Sequence, residues 1–220
     1  MRRHLSTTKL TAMLGPLLMA AVLLLARPAF AETWHNTDIT GYVPDLSFDM
    51  MDATTGKEAT QADFKGKFVL LYFGYTQCPD ICPLTLQRVA QVFDKLGKDK
   101  PDFRFLFVTV DPNRDTLPIL KQYTAAFSPL FVGLRGDSNA VARLARRYRI
   151  AYSVTPATKD HPYEVTHSSA IYVFTRDGEP KLLLGSLATT NPDISGTVAD
   201  LKQLVHQPAP SLLSRLVGSL

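Results

Sequence analysis

Cysteine is scarce in this chain: Cys78 and Cys82 are the only two among 220 residues. The absence of further cysteines disfavours a closed structural zinc site, which needs four ligands. A disulfide between the two would close a loop too short to remove much unfolded-chain entropy, and a domain of this size hardly needs one. We therefore interpret the pair as functional rather than as a structural crosslink.

Acidic residues are absent from the first 31 positions, where the charged residues are all basic: Arg2, Arg3, Lys9 and Arg27. The run from Leu10 to Ala26 is uncharged, and Ala29 and Ala31 match a small-x-small cleavage pattern. This arrangement is typical of a secretory signal. We predict a signal peptide over residues 1–31, cleaved after Ala31. A retained membrane anchor is the alternative, because the run is slightly long for a signal core and marginal for a membrane span.

Beyond residue 31 the chain has no excess of either charge. Subtracting those four basic residues from the total of 24 leaves 20, which equals the 20 acidic residues. Nucleic-acid binding needs a surplus of positive charge to neutralise phosphates, so we expect no nucleic-acid partner. Four arginines cluster on one predicted helix, and we interpret them as its solvated face: Arg143, Arg146, Arg147 and Arg149.

Repeats and low-complexity segments are also absent from the remaining residues. We predict one domain over residues 32–207 with a single core and a single site. Residues 208–220 form a C-terminal tail in which leucines recur at helical spacing. This spacing favours a short amphipathic helix that packs on the domain.

Strand and helix patterns alternate along the domain and indicate an α/β fold. Strands are predicted at 46–51, 68–73, 103–110, 130–134, 170–174 and 181–184, the last two as a hairpin. Helices are predicted from the cysteines to about Gly97, from Thr116 to Phe127, from Asp137 or Ser138 to Tyr148, and from a cap at Asn191-Pro192 to Val205. Residues 155–167 are polar and interrupted by proline, which predicts a long loop.

The two cysteines lie in the turn between strand 68–73 and the helix that follows, where α/β folds keep their sites. Pro83 suits the first helical position, so we expect Cys82 at or next to the N-cap. The positive end of the helix dipole would then favour its thiolate over its thiol. The pair suits either a soft two-sulfur metal clamp or a reversible dithiol.

A histidine that could join the two sulfurs would favour the metal clamp. His161 and His167 both lie in the predicted long loop, and His167 stands just before strand 170–174. If that strand runs antiparallel to strand 68–73, its beginning lies at the same edge of the sheet as the cysteine turn. His167 could then converge with Cys78 and Cys82.

Two thiolates with one imidazole form a soft ligand set that suits Cu(I), and would hold zinc if a fourth ligand joined. Met50 and Met51 offer thioether sulfur, although strand packing explains at least one of them better. The residues alone therefore leave copper, zinc and dithiol chemistry open.

Four motifs in order resemble the Sco/SenC family of copper-binding, thioredoxin-like proteins: FGYTQCPDICPLTL, VTVDPNRDT, FSPLFVGLRGD and HSSAIYVF. The likeness covers nearly all of residues 42–205. It implies a thioredoxin-like fold with a central mixed sheet flanked by helices, and copper bound by Cys78, Cys82 and His167. Members of the family assist assembly of the dinuclear copper centre of cytochrome c oxidase.

The resemblance also implies a supporting residue and shows two departures. The aspartate of the family at the position of Asp111 lies near copper and is implicated in partner exchange or site geometry, although a turn cap explains it equally well. Gln77 stands where the family often has histidine, and Thr166 where an acidic residue often precedes the ligand histidine. The second departure bears on how His167 is oriented, since metal-bound imidazoles usually rely on a hydrogen-bond acceptor.

Our main hypothesis is an exported, periplasmic or otherwise extracytoplasmic copper chaperone that binds Cu(I), with Cu(II) as a second state. Its implied partners are the copper-accepting subunit of cytochrome c oxidase and a thiol-disulfide reductant, with membrane attachment through the N-terminus as an option. The alternative is an extracytoplasmic thiol-disulfide oxidoreductase in which Cys78 attacks and Cys82 resolves. A peroxide reductase on the same fold is a weaker third hypothesis.

Overall fold

A computed structural model describes residues 33–207. The strands in this range are β1 Thr37–Asp38, β2 Asp49–Asp52, β3 Lys57–Thr60, β4 Phe68–Gly74, β5 Phe103–Thr109, β6 Phe131–Arg135, β7 Tyr152–Thr155, β8 Glu164–His167, β9 Ile171–Phe174 and β10 Pro180–Leu184. The α-helices are α1 Ile81–Leu96, α2 Leu117–Ala125, α3 Ser138–Arg147 and α4 Ile194–His206. Short 3-10 helices occupy Gln61–Phe64, Gly97–Asp102 and Ser186–Ala188.

Eight of these strands form one mixed sheet in the order β1-β10-β9-β4-β5-β6-β2-β3. Strands β4, β5 and β6 are parallel, whereas β9 pairs antiparallel with β4 and β10 pairs antiparallel with β9. Every residue of β4 is buried, as is typical of a strand covered on both faces by other elements. The predicted α/β fold with a central mixed sheet and flanking helices is confirmed.

The helices bury apolar stripes and expose polar ones, as their sequence patterns predict. On α1 the buried side chains recur every three or four residues: Cys82, Thr85, Leu86, Val89, Val92, Phe93 and Leu96. At the end of this stripe the Phe93 ring packs against Phe103 of β5 and Phe131 of β6. The four arginines on and after α3 are exposed, which agrees with their interpretation as a solvated face.

Strand β9 has the orientation that the sequence analysis required for His167 to approach the two cysteines. It pairs antiparallel with β4, with Leu71 opposite Tyr172, and it forms the predicted hairpin with β10. The start of β9 therefore lies at the edge of the sheet where β4 ends. This is the edge that carries the cysteine turn.

Several predicted boundaries were wrong. Helix α1 begins at Ile81 with Asp80 as its N-cap residue, so Cys82 lies inside the first turn and not at the cap. Pro83 is tolerated there because the first amides of a helix have no intrahelical partner. The final helix is capped by Asp193, whose Oδ1 accepts a hydrogen bond from Gly196 N at 2.8 Å, rather than by Asn191-Pro192.

Two further differences concern strands. The strand predicted at 46–51 begins only at Asp49, because Leu46 N bonds to Gly178 O outside the ladder. The predicted loop 155–167 contains the end of β7 and all of β8, which pair antiparallel as a separate two-stranded ribbon with Tyr152 opposite His167. His167 therefore ends a strand instead of lying in a loop.

The predicted signal peptide or anchor over residues 1–31 and the C-terminal tail over 208–220 lie outside the described residues. Between residues 33 and 207, no helix has both the length and the apolar character that crossing a membrane requires.

Candidate metal centre

The cysteine turn places two sulfur atoms next to each other at the start of a helix. Cys78 lies in the turn after β4, and Cys82 lies in the first turn of α1. The backbone N–H of Cys82 donates a hydrogen bond to Cys78 Sγ over 3.4 Å. Both thiols are free, with Cys78 8% exposed and Cys82 0% exposed. Both cysteines are therefore buried, and Cys78 is the one with a small residual exposure.

A histidine completes the cluster from the opposite side. His167 Nε2 lies 3.2 Å from Cys82 Sγ, and the ligand atoms of Cys78, Cys82 and His167 all lie within 4.8 Å of one another. The imidazole ring makes edge contacts with Tyr72 and Tyr75, with ring centroids 5.9 and 5.8 Å away. The convergence expected from the antiparallel β9 strand is therefore present in the structure.

The outer nitrogen of His167 has an acceptor of its own. His167 Nδ1 lies 3.0 Å from the backbone oxygen of Ser168, which favours a proton on Nδ1 and leaves the lone pair of Nε2 facing the sulfurs. Thr166 does not orient the imidazole, since its hydroxyl pairs with Ser153 Oγ at 2.8 Å. The backbone carbonyl thus fulfils the role that the sequence led us to seek in an acidic side chain.

Glycine at the end of β4 allows Cys82 to come close to the sheet. A Cβ atom at Gly74 would lie 2.8 Å from Cys82 Sγ and 2.8 Å from Phe107 Cε2. Contacts this short are essentially never seen for real Cβ atoms, so a larger residue would displace the sulfur or the ring. Gly74 is therefore a requirement of the site that the sequence analysis did not single out.

The two thiols differ in acidity. The sequence analysis expected the thiolate on Cys82, whereas the structure favours it on Cys78. The Cys82 thiol hydrogen bond lowers the pKa of Cys78; burial opposes this shift, and His167 and backbone amides of the turn add to it. The pKa of Cys82 is raised because its thiol donates to Cys78 and because it is buried. The Cys82 N–H in the first turn of α1 donates to Cys78 Sγ, which favours a thiolate on Cys78.

The side chain of Asp111 does not contact the sulfurs directly. Its carboxylate is buried, with an ion pair to Arg114 Nε and a 2.8 Å hydrogen bond donated by Tyr163 Oη. Arg114 Nη1 also donates to Gln77 Oε1 in the cysteine turn over 3.0 Å. Arg114 and Tyr163 were missed by the sequence analysis, although Arg114 lies in one of the motifs that it quoted.

A second buried carboxylate holds the cysteine turn to β5. Asp115 is 0% exposed, and its oxygens accept hydrogen bonds from Thr76 N at 3.0 Å, Thr76 Oγ1 at 2.6 Å and Thr109 Oγ1 at 2.6 Å. Thr76 precedes Cys78 by two residues, and Thr109 ends β5. Asp115 therefore fixes the base of the turn that carries the sulfurs.

The remaining candidates lie elsewhere. His161 is exposed in the loop between β7 and β8, and Met50 is buried in the core. His35 pairs with Asp200 at 3.0 Å. Within residues 33–207, Cys78, Cys82 and His167 form the one cluster of three His, Cys, Asp or Glu side chains with the spacing of a metal site.

Comparison with known proteins relates this cluster to one family. The family model SCO1/SenC matches residues 42–206. The bovine SCO2 homolog (Bos taurus), a mitochondrial protein, is 43% identical over 133 residues, which are 60% of this chain and 50% of that protein. The chain spans about half the length of the curated relatives that it matches.

Two solved structures with copper bound are similar to the chain. Yeast Sco1 is 31% identical with a TM-score of 0.68, over 78% of this chain and 94% of that one. ScoI of Bradyrhizobium japonicum is 36% identical with a TM-score of 0.63, over 73% of this chain and 98% of that one.

Proposed function

Because the chain belongs to the SCO1/SenC family, we propose that it is an exported copper chaperone that assists assembly of the dinuclear copper centre of cytochrome c oxidase. The observation that carries the proposal is the cluster of Cys78, Cys82 and His167, whose ligand atoms lie within 4.8 Å of one another. Copper bound to the yeast and Bradyrhizobium relatives supports the choice of ion.

The donor set fits Cu(I) by its chemistry. Two thiolates and a neutral imidazole are soft ligands that a monovalent copper ion accepts, whereas structural zinc sites close with four ligands. Copper is the ion to be delivered, and Cu(II) is a second oxidation state that the same three ligands would bind. Binding must displace the proton from the Cys82 thiol, because the thiolate is the ligand, so loading is expected to release protons.

The burial of the ligands suggests a direction for transfer. Cys78 is 8% exposed and Cys82 is 0% exposed, so an acceptor can reach a bound ion from the Cys78 side. A thiol of the acceptor would first join Cys78 at the ion and then replace the buried ligands. Both cysteines must be reduced for loading, which is why a thiol-disulfide reductant is the second proposed partner.

Titration of the reduced 220-residue chain with Cu(I), in competition with a coloured chelator, tests the ligand set. We expect one ion per chain, and a weakening of at least about tenfold in His167→Ala, since even residues that only orient a ligand cost about 10- to 100-fold. His161→Ala is the matched control, because that histidine is exposed in the loop that joins β7 to β8. Affinity unchanged in His167→Ala would remove the imidazole from the site.

The location and domain division are also proposals. The basic start, uncharged run and Ala29-x-Ala31 pattern support export with residues 1–31 as a signal or anchor, residues 32–207 as the copper-binding domain and 208–220 as a tail. The N-terminal sequence of the protein recovered from cells tests this division. A chain starting at Glu32 in the periplasmic fraction supports cleavage, and an intact start in the membrane fraction supports an anchor.

A thiol-disulfide oxidoreductase is the second candidate function, favoured by the lowered pKa of Cys78 beside a second thiol. The Cys78 thiolate would attack a partner disulfide, releasing one partner thiol and forming a mixed disulfide; Cys82 would then attack Cys78 Sγ, releasing the second partner thiol and leaving the Cys78–Cys82 disulfide. Reduction of a model disulfide by the reduced chain tests this reaction. Turnover that does not depend on His167, in a chain that binds no Cu(I), would assign the cysteines to exchange chemistry rather than to metal.

A further inference from the structure

Four side chains from three segments form a polar cluster beside the metal centre, which we call the latch: Gln77, Asp111, Arg114 and Tyr163. The guanidinium of Arg114 ion-pairs with Asp111, donates to Gln77 Oε1 at 3.0 Å and lies 3.8 Å from the centroid of the Tyr163 ring. The Tyr163 hydroxyl donates to the other oxygen of Asp111 at 2.8 Å. The latch therefore joins the cysteine turn, the loop after β5 and the segment before β8.

The buried carboxylate of Asp111 fixes the positions of the other latch side chains that bond to it. The side chain of Asp111 is 1% exposed, and each of its oxygens has one charged or hydroxyl partner. A buried carboxylate that loses such a partner is destabilised strongly, so Arg114 and Tyr163 are both held near it. Stacking of the guanidinium on the Tyr163 ring adds a contact that depends on the plane of each group.

Tyr163 lies directly before β8, on the side of the extended chain that also carries His167. Side chains alternate along an extended chain, so Tyr163, Val165 and His167 point to one side, and Glu164 and Thr166 to the other. The burial pattern agrees: Glu164 and Thr166 are exposed, whereas Val165 is buried and Tyr163 and His167 are partly buried. Fixing Tyr163 therefore fixes the face that His167 presents.

The ribbon that carries His167 needs such an attachment. Strands β7 and β8 pair with each other and form a sheet separate from the main one. A two-stranded ribbon is at best marginally stable alone, so its orientation depends on contacts with the rest of the domain. The latch supplies a contact of this kind four residues before His167, on the cysteine turn itself.

We propose that Arg114 and Tyr163 are positioning residues of the metal centre: they hold the β7–β8 ribbon so that His167 faces Cys78 and Cys82. The proposal rests on the proposed function in one respect, that His167 is a ligand. It adds two residues that act through His167 without touching the ion. It also predicts that loss of the Arg114 and Tyr163 contacts disturbs the position of the His167 imidazole more than the position of either cysteine sulfur.

The first test uses the reduced, copper-free 220-residue chain. Nuclear Overhauser effects between the rings of His167 and Tyr75, whose centroids lie 5.8 Å apart, report the closed ribbon. We expect these effects in the wild type. They should weaken or disappear in Arg114→Lys, which keeps the positive charge but not the planar guanidinium, and in Tyr163→Phe, which keeps the ring but not the hydroxyl. Arg176→Lys is the matched control. Arg176 also pairs with an aspartate and lies over an aromatic ring, that of Phe68, but it does so at the other end of β4, away from the metal centre.

The second test measures Cu(I) affinity by chelator competition. Arg114→Lys and Tyr163→Phe should weaken binding by about 10- to 100-fold, the usual range for residues that orient a metal ligand, and Arg176→Lys should leave it unchanged. Arg114→Lys should have no further effect in a His167→Ala background, because the latch acts through the imidazole. An equal loss in that background would overturn the proposal.

The outcomes separate this inference from the function on which it rests. If His167→Ala weakens copper binding but the latch variants keep both the ring contacts and the affinity, the latch is wrong and the copper site stands. If His167→Ala has no effect on copper binding, the ligand set is wrong. The ring contacts of the copper-free chain then still decide whether the latch holds the ribbon.

Discussion

The two ends of strand β4 carry similar clusters with different consequences. At the end of β4 near the cysteines, Arg114 pairs with Asp111 and lies 3.8 Å from the centroid of the Tyr163 ring. At its beginning, Arg176 pairs with Asp102 at 2.9 Å and lies 4.6 Å from the centroid of Phe68. Each guanidinium thus combines a carboxylate with an aromatic ring.

The difference between the two clusters lies in burial and in what they connect. The side chain of Asp111 is 1% exposed, whereas that of Asp102 is 34% exposed. A solvated pair contributes little to stability, but a buried carboxylate needs its partners. The Arg176 cluster joins strand ends, while the Arg114 cluster joins the segments that bear the thiols and the imidazole. The same pair of residue types is therefore peripheral at one end and positions the site at the other.

The largest effect is expected at the site end, from Asp115→Ala. This substitution leaves the partly buried Thr76 N–H and two threonine hydroxyls without their carboxylate, which we expect to lower the free energy of unfolding by about 3 kcal/mol. Urea unfolding measures the loss. Asp102→Ala is the matched control and should cost at most about 1 kcal/mol, since its pair is solvated. Equal losses of unfolding free energy in Asp115→Ala and Asp102→Ala would show that burial does not distinguish the two ends of β4.

Gly74→Ala is expected to have the next largest effect. The new Cβ would lie 2.8 Å from both Cys82 Sγ and Phe107 Cε2, and overpacking of this kind costs about 1 to 3 kcal/mol. The unfolding free energy and the rate of thiol alkylation, which reports a displaced Cys82, measure the change.

Gly185→Ala provides the reference for that substitution. Nothing lies within 4 Å of a Cβ at Gly185 and its φ is −90°, so alanine should be neutral within about 0.5 kcal/mol. Comparable destabilisation by the two alanines would show that the close sulfur and ring do not set the cost, because the loss of unfolded-chain entropy alone favours the folded alanine variant.

Much of the fold was predictable because its central strands have a strong local signal. The apolar runs of β4 and β5 are buried throughout or nearly so, and such runs indicate internal strands of an α/β sheet. The position of His167 followed from one topological condition, the antiparallel β9, which the structure fulfils. Local pattern and one long-range condition thus brought the three candidate ligands to one edge.

What the sequence did not predict depends on pairings that only the folded chain creates. Tyr163 and Asp111 are 52 residues apart, and nothing local marks them as partners. The acidity of the two cysteines was assigned wrongly because it depends on which sulfur the Cys82 N–H faces. The alternation that marks β8 was present in residues 163–167 but was hidden by the polar, proline-containing composition of the segment.

Removing the guanidinium at the other end should have a smaller effect. Arg176→Ala loses an ion pair with a partly exposed carboxylate and a ring contact, which we expect to cost about 1 kcal/mol in unfolding free energy. The alkylation rate of Cys78 should stay the same, because the sulfur lies at the opposite end of β4. A changed Cys78 rate would mean that the two ends are coupled through the sheet.

The smallest expected effect is the pH dependence of the Asp102 pair. The hydrogen bond from Arg176 lowers the pKa of Asp102; slight burial opposes this shift, and the charges of Arg176 and Lys67 add to it. A carboxyl group whose folded pKa is depressed stabilises the fold above its unfolded pKa of about 3.9, and this stabilisation is lost as the pH falls through the folded value. Screening by solvent keeps the contribution below about 1 kcal/mol.

The difference in unfolding free energy between wild type and Asp102→Asn isolates this contribution from the other acids. We expect the difference to be present at pH 6, to shrink as the pH falls below about 4, and to be reduced in 1 M salt, where the screening length is about 3 Å. The Asp111 pair should resist the same salt, because buried pairs are screened much less. A difference for Asp102→Asn that is constant over pH and salt would show that the amide acts through packing, and that charge does not distinguish the two ends of β4.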